Sequence, residues 1–374
     1  MNKIYLDNAS TTPIRPEVIQ VMANVMQTEF GNPSSTHSFG RGAKVILESA
    51  RKSIAKHLNC SAQEIIFTSS GTEANNWILR NAVAKMGVKR IISTKIEHHA
   101  VLYPILELQK EFGIEVEFLT IFPNGHIDYL QLATLLEDTK PTLVSLMHVN
   151  NETGVVLDLN RVGELCKSAN AYFHSDTVQS IGKTEIDLQE IKVDFLVASA
   201  HKFNGPKGIG FTFVKKNTII SPMIFGGEQE KGLRAGTEAV HQIAGMAKAL
   251  EMAYHHLDTE RSAIFELKKY TIEKLAQQFP SIKFNGGLET FYSILNIQLP
   301  FAPEKTTMIL FELDMKGIAA SRGSACQSGS IKPSHVLAEI LSEDELKKPS
   351  LRISFNHQNT KEEIDYFISC LAAM

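Results

Sequence analysis

The sequence predicts an α/β protein whose larger domain has a mainly parallel sheet covered by helices, with a smaller α+β domain attached. Two observations lead to this prediction. Between residues 64 and 214, short apolar runs alternate with amphipathic segments, a pattern typical of parallel strands joined by helical crossovers. After a long helical stretch, strands and helices become fewer and follow no such alternation.

Seven apolar runs are predicted to be the strands of a single sheet, buried on both faces. They span residues 64–68, 90–93, 116–121, 143–149, 171–175, 195–198 and 210–214. Helical periodicity between them covers residues 72–86, 99–112, 128–137 and 159–168. Ligands of such sheets bind beyond the carboxyl ends of the strands, so the loops that follow strands are the first candidates for a site.

A helical stretch over residues 237–278, with a break near residues 255–258, is predicted to bridge two domains. The later part of the chain is predicted to contain strands at 293–299 and 351–355 and helices at 306–315 and 361–371. We therefore expect a large domain over residues 15–258. Residues 1–14 and 259–374 would form the small domain.

Composition excludes several classes of function. The 38 Lys and Arg against 41 Asp and Glu give a net charge of −3, so no basic excess is available for a nucleic acid. No apolar run approaches the ~20 residues that span a bilayer, and the N-terminal residues do not resemble a signal peptide. The four cysteines form no CxxC pair, which disfavours a zinc site or a disulfide framework. We expect a cytoplasmic protein without a metal, a membrane or a nucleic acid as partner.

A candidate phosphate site lies in FTSSGTEAN, residues 67–75, where a predicted strand enters a helix through small residues. Free backbone N–H groups and the helix dipole favour an anion at such a turn. The chain has neither a GxxxxGK[ST] motif nor a strand-following GxGxxG, which argues against a nucleotide. The alternative is an ordinary helix N-terminus capped by Thr72.

A candidate reactive lysine, Lys202, follows the predicted strand at 195–198 in a turn bounded by glycines. A partly desolvated lysine forms Schiff bases with carbonyl cofactors, although most loop lysines lie on the surface. Asp176, at the end of the preceding strand, could keep a pyridinium nitrogen protonated or could be a turn or capping residue. The residues alone leave both alternatives open.

Motifs along nearly the whole chain occur in one characteristic order. They are YLDNASTT (5–12), FGNPSS (30–35), FTSSGTE (67–73), EHHAV (97–101), HVNNETG (148–154), DTVQ (176–179), HKFNGPKGIG (201–210), RAGT (234–237) and GSAC (323–326). Together they resemble the class V aminotransferase family, and more narrowly its NifS/IscS-type cysteine desulfurases. The resemblance implies fold type I of the pyridoxal-phosphate enzymes, pyridoxal 5'-phosphate as cofactor, L-cysteine as substrate, and a homodimer with active sites at the subunit interface.

The resemblance also implies roles for individual side chains. Lys202 would hold the cofactor covalently, His98 would stack on its ring and act in catalysis, and Asp176 would pair with the pyridine nitrogen. The implied phosphate ligands are Gly71, Thr72, Ser199, His201 and, from the partner subunit, Thr237. Asn151 and Gln179 would contact the ring hydroxyl side, and the implied substrate-binding residues are Asn32, Asn151 and Arg352.

For two of these residues the sequence leaves a plainer alternative. Arg352 could be a surface charge at a strand end, and His98 could be a structural histidine. With His99 it could also suggest a metal pair, but adjacent residues of one element point in different directions.

Cys326 decides which reaction is predicted, because members of one family can share a cofactor site and differ in chemistry. It lies in a run of small polar residues, 321–334, typical of an exposed loop. We expect its thiolate to take sulfur from L-cysteine as a persulfide, leaving alanine. Arg322, Lys332 and His335 are candidates for activating it, by proximity in sequence only.

The residues around Cys326 are similar to those of the branch that passes sulfur to iron–sulfur scaffold proteins. Gln327 and Ala235 depart from the usual threonine and serine of that branch. We therefore expect an iron–sulfur scaffold or another sulfur acceptor, such as a tRNA-thiolation carrier, as partner. Two alternatives remain: a pyridoxal-phosphate aminotransferase or β-lyase in which Cys326 is incidental, and a non-catalytic docking subunit. The presence of Lys202, Asp176, His98, Cys326 and Arg352 disfavours the second.

Overall fold

The computed structural model describes residues 3–323 and 333–374, so Cys326 and Lys332 lie outside the described residues. The strands, numbered along the chain, are β1 (Ile4–Tyr5), β2 (Ile65–Thr68), β3 (Arg90–Ser93), β4 (Glu115–Phe118), β5 (Thr142–Ser145), β6 (Tyr172–Asp176), β7 (Phe195–Ser199), β8 (Gly210–Val214), β9 (Lys283–Phe284), β10 (Ile294–Gln298), β11 (Ile318–Ala319) and β12 (Ser350–Ser354).

The α-helices are numbered in the same way. They are α1 (Pro16–Thr28), α2 (Ser38–His57), α3 (Gly71–Ala84), α4 (His99–Phe112), α5 (Tyr129–Leu135), α6 (Leu159–Ser168), α7 (Val240–His255), α8 (Leu257–Gln278), α9 (Lys305–Met315), α10 (His335–Ala338), α11 (Glu343–Leu346) and α12 (Lys361–Ala372).

The central sheet has seven strands in the order β2-β8-β7-β6-β5-β3-β4. Only β8 runs antiparallel to its neighbours β2 and β7; the pairs from β7 to β4 are parallel. Strands β2, β3, β5, β7 and β8 are buried along their whole length, which explains why they occur as continuous apolar runs. The predicted α/β fold with a mainly parallel seven-stranded sheet is confirmed.

Two strand predictions extend beyond the ladder. The run at 143–149 leaves the sheet after Ser145, and the run at 116–121 leaves it after Phe118. Leu146, Val149 and Leu119 are nevertheless buried. Because the apolar pattern follows burial and not strand pairing, it continues through these loop residues.

The helix predictions at 99–112 and 159–168 are confirmed at both ends. The predicted bridge at 237–278 consists of α7 and α8, which meet at His256. Helices α1 and α2 were not predicted and both pack on α7. Pro16 at the first position of α1 supplies a start signal for this helix, because proline has no N–H to leave unpaired there.

The C-terminal part contains a three-stranded antiparallel sheet, β12-β10-β9, and a parallel pair, β1-β11. One large hydrophobic cluster lies between Val18 and Ala253 in sequence, and another joins Ile4 and Leu6 to residues from Ile264 to Leu371. The division into residues 15–258 and residues 1–14 with 259–374 stays a prediction, which this distribution supports.

Among the helices in the described part of the chain, none combines the length and the apolarity required to cross a bilayer.

Candidate active site

A cavity of about 230 Å³ lies at the carboxyl edge of the central sheet, where residues from the ends of β2, β6 and β7 meet Arg352 of β12. It brings together most of the side chains that the sequence singled out. Those lining it are Gly71, Thr72, His98, Asn151, Asp176, Gln179, Ser199, His201, Lys202 and Arg352. The cavity therefore lies where ligands of open α/β sheets are expected to bind, beyond the carboxyl ends of the strands.

The turn between β2 and α3 forms one end of the cavity. Ser70, not Thr72, caps α3: its Oγ accepts a hydrogen bond from the Glu73 N–H at 3.2 Å. Ser70 has the extended backbone that a capping residue requires, whereas Thr72 already lies inside the helix. A Cβ at Gly71 would lie 2.8 Å from Val178 Cγ2, so only glycine allows this close approach.

Asp176, at the end of β6, is buried and held by two N–H donors. Its Oδ1 accepts from the Val178 N–H at 3.0 Å, and its Oδ2 accepts from Asn75 Nδ2 at 2.7 Å. Such bonds stabilise an ionised carboxylate. The group is therefore suited to face a cation in the cavity.

Two buried acceptor atoms at the cavity, Asn151 Oδ1 and Gln179 Oε1, have no hydrogen-bond partner in residues 3–323 and 333–374. The Gln179 amide is fixed in orientation because its Nε2 donates to the Ala9 carbonyl at 2.8 Å. Unsatisfied buried polar atoms are costly and often indicate a ligand. With the anion-binding turn and Asp176, they fit a cofactor that has a phosphate, a ring hydroxyl and a basic ring nitrogen, as pyridoxal phosphate does.

His98 caps α4, with its Nδ1 accepting from the Ala100 N–H at 3.1 Å. Burial is the largest cause that lowers the pKa of His98, so the ring is neutral at pH 7 and carries its proton on Nε2. The neighbouring His99 stacks on Tyr103, 4.6 Å between ring centroids. The described residues contain no group of three or more His, Cys, Asp or Glu placed to hold a metal.

Lys202 ends a single 3-10 turn after β7, and its amine donates to the carbonyls of Ala9 at 2.6 Å and Ser10 at 2.9 Å. Burial and the positive charges of Arg352 and Lys183 lower the pKa of Lys202 to about 7. A large fraction of the amine is therefore neutral near pH 7. A neutral amine can act as a nucleophile or as a base.

Arg352 is only 1% exposed, so the alternative of a surface charge is wrong. Its Nη1 donates to the Asn151 carbonyl at 2.9 Å, and its Nη2 donates to Asp7 Oδ1 and Ser10 Oγ, each at 2.7 Å. The Nε atom has no partner within the described ranges. The guanidinium is thus fixed in place with donor capacity remaining for an anion.

Asn32 and Thr237 are exposed and do not line this cavity. Asn32 Oδ1 instead accepts from the Ser34 N–H at 2.9 Å. Their roles stay predictions, as does the role of Cys326, which lies outside the described residues. Of its candidate activators, His335 has its Nε2 2.9 Å from the Glu97 carbonyl oxygen.

Several site residues were missed by the sequence reasoning. Asp7 and Ser10 hold Arg352, and Asn75 holds Asp176. All three belong to motifs already quoted, 5–12 and 67–75, so membership of those motifs was the available signal. The carbonyls that bind Lys202 are backbone groups, which carry no residue-specific signal.

The aminotransferase class V family matches residues 4–367. A protein of Dictyoglomus turgidum named cysteine desulfurase IscS is 41% identical over 372 residues, covering 99% of this chain and 93% of that protein. A Bacillus subtilis protein named putative cysteine desulfurase IscS 1 is 40% identical, covering 97% of this chain and 96% of its own.

Solved structures agree with these relatives. One described as a NifS-like protein superimposes with a TM-score of 0.91 at 33% identity, covering 100% of this chain and 99% of the other. A NifS-like protein from Rickettsia africae gives a TM-score of 0.87 at 32% identity, with the same coverage. The match over nearly the whole length, together with the site built on Lys202 and Asp176, establishes that the chain belongs to the class V aminotransferase family.

Proposed function

We propose that this chain is a pyridoxal-phosphate-dependent cysteine desulfurase, which converts L-cysteine to L-alanine and takes the sulfur onto Cys326. The observation that carries the proposal is the cavity in which a lysine amine with a lowered pKa, an aspartate held by two N–H donors and a buried arginine converge. Relatives about 40% identical over nearly the full chain are named cysteine desulfurase.

The residues that would hold the cofactor are those lining the cavity. The turn at Gly71 and Thr72, with Ser199 and His201, would bind the phosphate, and Asp176 would pair with the ring nitrogen. Asn151 and Gln179 offer their free acceptors to the ring hydroxyl, and His98 would lie against the ring. When bound, pyridoxal phosphate supplies an electron-accepting ring that stabilises the electron pair left at the substrate Cα.

Lys202 is the group placed to move protons at the substrate. Its amine is neutral in large part near pH 7, so it can take a proton from Cα without first losing one to solvent. His98, neutral with a hydrogen on Nε2, can donate a hydrogen bond at the same cavity. Arg352 would bind the substrate carboxylate, for which its planar donor fork is suited.

The sulfur transfer balances without an outside oxidant. A bond forms between the Cys326 sulfur and the substrate sulfur, and the Cβ–S bond breaks. The electron pair of the broken bond stays on Cβ, which takes up a proton and becomes the methyl group of alanine. The transferred sulfur is thereby oxidised and the carbon reduced, and Cys326 carries it as a persulfide.

We further propose a homodimer, acting in the cytoplasm, that passes sulfur to an iron–sulfur scaffold or another acceptor protein. Phe30 and Phe39 are 72% and 55% exposed, and their ring centroids lie 5.2 Å apart; clustered exposed apolar side chains are typical of protein interfaces. Asn32 and Thr237, which do not line the cavity of their own chain, would then serve the site of the partner subunit.

The test is the release of alanine and sulfide from L-cysteine in the presence of a thiol reductant. We expect equal amounts of both from the wild type and none from Cys326→Ala. Cys60→Ala is the matched control, because burial raises the pKa of that thiol to about 12 and it should retain full activity.

Full activity in Cys326→Ala would overturn the persulfide step. Faster turnover of another amino acid, or release of a product other than alanine, would support an aminotransferase or β-lyase instead.

A further inference from the structure

A line of buried polar side chains connects Asp176 to the interior of the central sheet. Asn75 of α3 contacts both Asp176 and His174, with His174 Nε2 at 3.1 Å from Asn75 Oδ1. Ser145 of β5 follows, its Oγ 2.9 Å from His174 Nδ1. Asn75, His174 and Ser145 are all buried, so none of these bonds can be replaced by solvent.

The direction of every bond in this line is fixed by chemistry. Asp176 Oδ2 is an acceptor, so the amide of Asn75 must turn its NH₂ group toward it and its oxygen toward His174. His174 must then carry its proton on Nε2, which leaves Nδ1 as an acceptor. The hydroxyl of Ser145 must donate to Nδ1 of His174. Separately, the backbone carbonyl of Ser145 accepts a hydrogen bond from Ser93 Oγ at 2.8 Å.

The ring of His174 cannot take a second proton without breaking this order. Burial lowers the pKa of His174 to about 3, so it remains neutral through the physiological range. The line therefore has one state, in which each member donates toward the carboxylate. Successive bonds of the same direction polarise one another.

We propose that Asn75, His174 and Ser145 form a positioning relay that orients the Asp176 carboxylate and directs its oxygens toward a cationic ring nitrogen. The inference rests on the proposed function, since it concerns the same cofactor. It goes beyond the contact between aspartate and ring by assigning roles to three residues that do not react. A merely structural network would stabilise the fold but would leave the protonation of the bound cofactor unchanged.

The test is a pH titration of the visible absorbance of protein loaded with pyridoxal phosphate. Asn75→Leu keeps the size of the side chain and removes the donor, so the carboxylate holds a proton more strongly and the ring nitrogen is less cationic. The group that joins the ring to Lys202 then keeps its proton to higher pH. We expect the pH at the midpoint of the absorbance change to rise by about one unit, because one pH unit corresponds to the free energy of a hydrogen bond to a charged group.

Asn76→Leu is the matched control, because Asn76 is the next residue of α3 and its Nδ2 donates to the Thr72 carbonyl and not to Asp176. Its midpoint should equal that of the wild type. Ser145→Ala lies two bonds further from Asp176 and should give a smaller rise in the same direction. Adding Ser145→Ala to Asn75→Leu should give no further rise, because the relay is already broken.

The outcomes separate this inference from the proposed function. An unchanged midpoint in folded Asn75→Leu, or in Ser145→Ala if the first variant does not fold, overturns the relay alone. A shifted midpoint in a protein that releases no alanine from cysteine supports the relay and overturns the desulfurase. A wild type that takes up no pyridoxal phosphate overturns both.

Discussion

Two lysines with a lowered pKa, Lys202 at the cavity and Lys268 in the C-terminal part, have different surroundings. Lys268 of α8 is 2% exposed, and its amine donates to the Thr290 carbonyl, the Thr290 hydroxyl and the Phe291 carbonyl at 2.6–3.0 Å. Burial alone lowers the pKa of Lys268 to about 8. Each of its three hydrogens has a partner, so nothing remains for a ligand.

Lys202 has two carbonyl partners, Ala9 and Ser10, and two positive neighbours, Arg352 and Lys183, which lower its pKa further. The environment favours the neutral amine, whose two hydrogens can bond these two carbonyls and whose lone pair is left for a ligand. Burial is the largest cause of the lowered pKa at both lysines, and nearby positive charge adds to it only at Lys202. The comparison indicates that a lowered pKa makes a lysine reactive only where its amine also faces a cavity.

The largest expected effect is that of Lys202→Met on activity. Removing the base should lower alanine release by at least ~10³-fold. The melting temperature of the cofactor-free protein should fall less than that of Lys268→Met, because the amine bonds two carbonyls and the Ala9 carbonyl keeps the donor of Gln179. Alanine release measures the expected loss of activity, and thermal unfolding measures the melting temperature. A loss of stability as large as that of Lys268→Met would mean that Lys202 supports the fold as much as Lys268 does.

Arg352→Lys tests whether the charge or the planar fork of the arginine matters. A lysine retains the positive charge near Lys202 but cannot make the same three bonds to Asp7, Ser10 and Asn151. We expect kcat/KM for cysteine to fall by about 10²-fold, mostly through KM. Arg80→Lys, at an exposed ion pair with Glu111, should leave kcat/KM unchanged. An equal loss of kcat/KM in the two variants would refute a specific role of Arg352.

Lys268→Met tests the structural side of the comparison. The substitution keeps the apolar stem and removes the donor to the carbonyl and hydroxyl of Thr290, whereas the Phe291 carbonyl keeps the N–H of Ile294. The free energy of unfolding should therefore fall by about 2 kcal/mol. Turnover per folded molecule should remain that of the wild type. Urea unfolding provides the measurement, with the neighbouring exposed Lys269→Met as a control that should change it little.

The smallest effect concerns the pH dependence of stability. In the folded cofactor-free protein the pKa values of Lys202 and Lys268 lie below the ordinary value of 10.5. At these two groups the unfolded chain therefore binds more protons than the folded one above about pH 7 to 8, and their contribution to the free energy of unfolding rises with pH until about 10.5. Each lysine contributes at most about 1.4 kcal/mol per pH unit.

Urea titrations between about pH 8 and 9.5 should show a shallower rise for Lys202→Met than for the wild type. Lys269→Met should match the wild-type slope. An unchanged slope in Lys202→Met would show that its amine titrates normally when folded.

Sequence predicted the fold well where burial and strand pairing coincide, as in β3 and β8, whose bounds were given correctly. It failed where buried apolar residues such as Leu146 and Leu119 continue beyond the ladder. The site was predicted through its motifs, which contain the chemically distinctive residues. Its supports were not, because Asn75, Ser145 and His174 are each unremarkable and meet only across the folded sheet.

The two sides of the cavity are also far apart in the order of synthesis. Asn8 donates to the Ser354 carbonyl at 2.9 Å, the Ala9 N–H donates to Ser354 Oγ at 2.8 Å, and Asp7 pairs with Arg352. At about 5–20 residues per second, a ribosome adds Ser354 roughly 20–70 s after Asn8. Until then Arg352 and the Ser354 contacts of Asn8 and Ala9 are missing, so a nascent or truncated chain contains no complete site. Desulfurase activity is therefore expected only from chains in which residues 352–354 have been synthesised.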